Sequence, residues 1–122
     1  TVTALRQIGI KNITLMGNFP RFAIYQPRLA AALYSDGKET RTYKRFNFSS
    51  IESDRRMMTI STALGVNFVS PINILCNHEG CILSSSTKAL IPIGIDDSHL
   101  SREGSIYFVD AAVREGSLIF PK

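Results

Sequence analysis

Two short apolar runs, each preceded by a helix-like segment that ends in glycine, constrain this chain most. Val2, Leu5 and Ile8 recur at three-residue spacing before Gly9, and Ile10 to Met16 then carries Ile13, Leu15 and Met16 up to Gly17. The first pattern predicts a helix whose C-terminus uses a left-handed glycine, the second a buried strand. The arrangement repeats further on. Ser49-Ser50-Ile51-Glu52 fits a capping box with Ser49 as N-cap, its helix running to Leu64 before Gly65, and Val66 to Val69 reads as the next strand, ended by Ser70-Pro71. Apolar strands alternating with helices predict an α/β sandwich on a mainly parallel sheet.

The remaining segments fit around that frame. Leu29 to Leu33 is helix-forming, with Pro27 tolerated in its first turn. Ser35 to Phe48 turns polar and charged and reads as a mobile loop or a lid. After a cysteine-bounded turn, Leu83 to Thr87 is serine-rich and Lys88 to Ile91 suits a minor strand. Ser101 is placed to cap a last helix whose Ile106, Val109, Ala112 and Val113 share one face, ending at Gly116. Gly104 suits close packing of that helix on the sheet. With 122 residues, 44% of them hydrophobic, the chain is expected to form one domain or part of one. No apolar run approaches the ~20 residues of a membrane span, and no signal-peptide pattern is present, so a soluble domain is expected.

Fourteen Lys and Arg against ten Asp and Glu give a net charge of +4, but the basic residues are dispersed. The densest group is Arg41, Lys44 and Arg45 among Tyr43, Phe46 and Phe48. It reads as a solvated, partly packed loop or as a patch for nucleic acid or an anionic glycan. The two cysteines, Cys76 and Cys81, leave three states open. They could close a disulfide across Asn77-His78-Glu79-Gly80 in an oxidising compartment, remain free thiols, or join His78 and the distant His99 as zinc ligands, a set whose spacing is wide for zinc.

The segment that most suggests chemistry is Ile95-Asp96-Asp97-Ser98-His99-Leu100-Ser101. A general base needs an oriented imidazole, and a carboxylate three residues earlier can fix its tautomer and stabilise its imidazolium. Asp96 and His99 sit after a strand-like run and before a helix, the loop type that carries sites in parallel sheets. Without further context, the same pair also reads as a helix cap and its neighbour. Asp97 receives no role, and His78 is expected to face solvent.

Several separated segments agree in order with one family. Gln7-Ile8-Gly9, Ile13-Thr14-Leu15-Met16-Gly17, Pro20-Arg21-Phe22, Pro27-Arg28-Leu29-Ala30, Cys76 to Cys81, and Asp96 to Ser101 with Gly104 resemble the second half of an SGNH hydrolase-type domain. The likeness is to the domain at the C-terminus of bacterial membrane acyltransferases that O-acetylate surface polysaccharides, and it spans nearly the whole chain. The resemblance implies a flavodoxin-like three-layer sandwich, incomplete at its N-terminus, with residues 1–122 forming its C-terminal portion. It implies that Asp96 is the orienting acid and His99 the base of a serine acyl-transfer site, with no metal or organic cofactor and no nucleic-acid partner. It also implies a glycan or other acyl-ester substrate, a membrane acyltransferase region as partner, and a periplasmic location. The family's Gly-Asp-Ser nucleophile segment and its oxyanion-hole glycine and asparagine are not matched, and Ser49, Ser50, Ser84, Ser85 and Ser86 lack that setting. The nucleophile is therefore expected upstream. A second reading is a non-catalytic module that holds an anionic glycan through Arg41 to Phe48.

Overall fold

A computed structural model of the chain describes residues 1–35, 38–86 and 89–119. Helix α1 (Val2–Gln7) is followed, after its C-cap Ile8, by Gly9, whose φ of +90° is the left-handed conformation expected there. Strand β1 (Thr14–Met16) follows, then α2 (Gln26–Leu33) with Pro27 in its first turn. Strand β2 (Thr40–Thr42) precedes the long α3 (Ser49–Leu64), which closes on Gly65 at φ +60°. Strand β3 (Asn67–Val69) pairs with β1 in parallel, Leu15 opposite Phe68. The anticipated αβ units at both ends of this pair are therefore present.

The sheet as a whole is not mainly parallel. Beside β1-β3 stands a separate antiparallel sheet of order β2-β5-β4, with β4 at Cys76–Asn77 and β5 at Gly80–Ser84. Its origin is local. Ser70 caps a short helix α4 (Pro71–Leu75), accepting from the Asn73 amide at 3.0 Å, and this helix turns the chain away from β3. His78-Glu79 is then a two-residue connection, and only antiparallel strands can be joined so tightly. At Gly80 (φ +137°) a Cβ would stand 2.3 Å from the Thr42 backbone, so β2 lies against this turn only because a glycine is there. The molecule is thus a mixed α/β fold with a parallel and an antiparallel sheet.

Four further expectations change. From residue 38 to Phe48 the expected loop is not open: β2 pairs with β5, and Phe46 bridges Phe22. Its aromatic rings pack on one another, Phe22 against Phe46 at 5.5 Å and Phe46 against Phe48 at 5.1 Å between centroids. The cap of α3 is not Ser49; Asn47 Oδ1 accepts from both the Ser49 amide and its hydroxyl, and Glu52 pairs with Arg56 instead of reaching back. Ser84, read as polar loop, is wholly buried in β5. No strand forms over 89–91; Ser84 instead bridges Pro92, while Lys88 lies outside the described residues.

The last helix, α5 (Arg102–Arg114), begins where expected: Ser101 Oγ accepts from the Gly104 amide at 2.9 Å. Of the expected stripe Ala112 is buried, but its companions on the inward face are Gly104, Phe108 and Ala111, whereas Ile106, Val109 and Val113 are exposed. The helix carries apolar residues on two faces, and the anchor at Gly104 decides which one turns inward. The core joins Val69, Ile74, Leu75, Ile82 and Ile93 to that face.

Candidate functional site

The loop from Ile95 to His99 is closed on itself and bolted to the rest of the fold. Gly94 bridges Leu100, and the Ile95 amide donates to the His99 carbonyl at 2.9 Å. From outside, the Gln26 amide donates to the Asp96 carbonyl and the Phe22 amide to the Asp97 carbonyl, both at 2.9 Å. Gly94 presses on the buried Gln26 side chain, where a Cβ would stand 2.5 Å from the carboxamide. A loop tied to α2 on one side and to α5 on the other holds its side chains in fixed directions.

Within it, Asp96 and His99 meet. Asp96 Oδ1 accepts from the Ser98 amide at 2.8 Å and from the His99 amide at 2.7 Å, a short Asp-centred turn. Its other oxygen, Oδ2, lies 2.6 Å from His99 Nδ1. The two backbone amides are the largest influence, and together with His99 they hold the Asp96 carboxyl down to about 2. The acid is ionised at neutral pH. A carboxylate on Nδ1 favours the Nδ1–H tautomer and leaves Nε2 as the free lone pair. The imidazole is 75% exposed and Asp96 31%, so Nε2 is accessible.

His99 opens on a cleft of about 410 Å³ lined also by Gly17, Asn18, Phe19, Arg21, Ser49, Ser50, Ser53 and Ser98. The cleft lies where β1 ends and α3 begins. Among the described residues, none of these serine hydroxyls is hydrogen-bonded to His99. Ser49 Oγ is held by Asn47 at 2.7 Å, and Ser98 Oγ leans on Asp97 Oδ1 at 3.4 Å. Arg21, which lines the cleft, donates from Nε to Asp97 at 3.0 Å.

Gly17 and Asn18 were overlooked in the sequence as site residues, although their position gave a signal. They directly follow β1, and loops at the C-terminal ends of parallel strands are where such sheets bind ligands. The exposed Asn18 brings a carboxamide into the cleft that holds His99.

The other candidates separate from this site. Cys76 and Cys81 are joined in a disulfide across β4 and β5. His78 is exposed on the turn, and among the described residues no three His, Cys, Asp or Glu side chains converge, so the zinc set is not assembled. Arg41 is not part of a surface patch. Its side chain is 11% exposed and is committed to Glu39 at 2.6 Å, the Leu75 carbonyl at 2.9 Å and the Gly80 carbonyl at 3.4 Å. Tyr43 is likewise engaged, donating to the Asn77 carbonyl at 2.7 Å. Both side chains fasten β2 to the disulfide hairpin.

Among curated proteins, none matches the sequence. Of solved structures, the periplasmic domain of a lipopolysaccharide acetyltransferase from Salmonella ser. Paratyphi A is similar in fold, with a TM-score of 0.73 at 17% identity. The likeness covers 86% of this chain but 41% of that one, so the chain spans less than half the length of the structure it matches. The family model for the SGNH domain fused to AT3 domains matches residues 1–114. Matched over nearly its whole length, the chain belongs to the family of SGNH domains found fused to AT3 domains.

Proposed function

We propose that residues 1–122 are the C-terminal portion of an SGNH-type domain and supply the acid and base of a serine acyl-transfer site acting on a bacterial surface glycan. The observation that carries this reading is the pair itself: Asp96 Oδ2 2.6 Å from His99 Nδ1, the carboxylate anchored by two amides and His99 lining a cleft. Family membership and the acetyltransferase neighbour support it.

The serine comes from a segment outside this chain. Among the described residues, β1 pairs with β3 alone, so its other edge is free to take a further strand beside the cleft. In the reaction, His99 Nε2 takes the serine proton as the serine oxygen attacks an acyl ester, and Asp96 stabilises the imidazolium. Collapse of the tetrahedral intermediate expels the donor alcohol, which takes the proton from His99, and leaves the acyl-enzyme. A sugar hydroxyl then attacks, giving its proton to Nε2, and the acyl group passes to the sugar as the proton returns to the serine. Asn18 furnishes an amide donor for the oxyanion. No metal or organic cofactor takes part in these steps. The disulfide fits an oxidising compartment, and with the family's AT3 fusion and the periplasmic neighbour it supports a periplasmic domain tethered to a membrane acyltransferase region.

The test is covalent labelling with a fluorophosphonate, read by intact mass, on this chain and on one extended at its N-terminus. Labelling of the longer chain only, lost in His99→Ala, supports the reading. Labelling of the short chain overturns the split site, and no labelling of either overturns the serine mechanism.

A further inference from the structure

The most unusual buried group lies beneath the cleft and takes no part in the steps above. Asp54 on α3 is 6% exposed, and its Oδ1 is buried with no hydrogen-bond partner among the described residues. Its Oδ2 receives the Ser70 hydroxyl at 2.6 Å, and the same Ser70 oxygen caps α4. Oδ1 is pressed against Gly17: a Cβ built there would lie 1.8 Å from it. Burying a carboxyl with one oxygen unsatisfied is costly, and such groups persist where they hold something in place.

What Asp54 touches is informative. Gly17 donates its amide to the Val69 carbonyl at 2.9 Å, and Ser70 follows Val69 at the end of β3. Asp54 therefore bears on the C-terminal ends of both parallel strands at once, directly behind the Gly17–Asn18 turn that lines the His99 cleft. We infer that Asp54 is a positioning residue for that cleft, clasping Ser70 on one side and seating the Gly17–Asn18 turn on the other. The inference rests on the serine-transfer reading for its functional consequence, because the turn carries Asn18.

Burial pushes the Asp54 carboxyl up, while the Ser70 hydroxyl and the Asn18 backbone N–H pull it down. Around it stand Ser70, the Gly17–Asn18 backbone and Phe68. On its far side Arg55, Tyr43 and Asn73 share a cavity of about 280 Å³ with it. Ionisation of Asp54 is thus read out first by the Gly17 and Asn18 amides.

The experiment is an amide-resolved NMR pH titration of this chain and its Asp54→Asn and Ser70→Ala variants, with the Asp54 side-chain carbon followed in parallel. In the wild type the Gly17 and Asn18 amides should titrate together with Asp54, at a midpoint above the ordinary aspartate value of ~3.9. In Asp54→Asn they should stay flat while the Ser98 and His99 amides behave as before. Should Asp54→Asn fail to fold, Ser70→Ala decides, since loss of the hydroxyl must move the Asp54 midpoint upward. Unmoved Gly17 and Asn18 amides during the Asp54 titration, or an unchanged midpoint in Ser70→Ala, overturns the clasp. In the intact acyltransferase, Asp54→Asn should lower kcat about 10- to 100-fold at nearly constant KM, as a misplaced turn does; a change confined to KM overturns the positioning role. Turnover that survives His99→Ala would instead defeat the serine reading and leave the titration result standing.

Discussion

Gly104→Ala is expected to destabilise the fold even though alanine is the better helix former. In an exposed helix interior the exchange gains about 0.5–1 kcal/mol. Here the added Cβ would stand 2.0 Å from the Ile93 carbonyl oxygen and 2.8 Å from its carbon. An ordinary carbon-to-oxygen approach is about 3.3–3.6 Å, so the first turn of α5 must retreat by more than ~1 Å. That retreat strains the Ser101 amide to Ile93 carbonyl bond at 2.7 Å and the Ser101 hydroxyl to Pro92 carbonyl bond at 2.7 Å. Overpacking typically costs about 1–3 kcal/mol and each weakened hydrogen bond about 1 kcal/mol. After the propensity gain, a net loss of about 2–4 kcal/mol remains. Urea unfolding followed by far-UV circular dichroism should show it as a midpoint lowered by about 1 M or more, given slopes of ~1–3 kcal/mol/M for small proteins. Gly9→Ala is the control: its φ is +90° and no atom lies within 4 Å of the new Cβ, so it should cost only about 1–2 kcal/mol of backbone strain. A Gly104→Ala protein as stable as the wild type, or more so, would refute the seating of α5 on Ile93.

Three other outcomes follow from the geometry. Replacing Cys76 and Cys81 together by serine opens a loop closed at a sequence separation of 5, which the chain-entropy relation values at about 2 kcal/mol, and thermal melts should register the loss. Arg41→Ala leaves the Leu75 carbonyl short of a buried donor and should cost about 1–3 kcal/mol in urea melts, while binding of an anionic glycan should not change; a stable variant with lost glycan binding would restore the surface-patch reading. Because Asp96 is held down to about 2 in the folded protein, its contribution to stability is complete above the unfolded value of ~3.9 and is lost as pH falls through about 2. Asp96→Asn should therefore flatten the stability profile within that acidic window, and an unaltered slope between pH 4 and pH 2 would contradict the anchoring.

Much of the site was legible in local chemistry. An aspartate three residues before a histidine reaches the imidazole within one turn of chain, and Asp96 and His99 need only their own loop to meet. The same holds for Ser101 capping Gly104, for the left-handed glycines at 9 and 65, and for the strand at 67–69. Each depends on neighbours a few residues away, and backbone stereochemistry settles it there.

What could not be read there depends on contacts between distant segments. The second sheet exists because β2 pairs with a disulfide hairpin some forty residues later, and no local period announces that pairing. Arg41 looks like a surface charge until three partners from Glu39, Leu75 and Gly80 surround it. The inward face of α5 was misjudged because Ile106, Val109 and Val113 form as good an apolar stripe as Phe108, Ala111 and Ala112; the close approach of Gly104 to the Ile93 backbone breaks the tie. Asp54 is the same lesson in reverse. Nothing in its neighbouring residues marks it out, and only the convergence of α3 on the ends of β1 and β3 buries it and sets it behind the cleft. Short-range geometry is written into neighbouring residues, whereas burial is a property of the whole packing and emerges only when the segments have met.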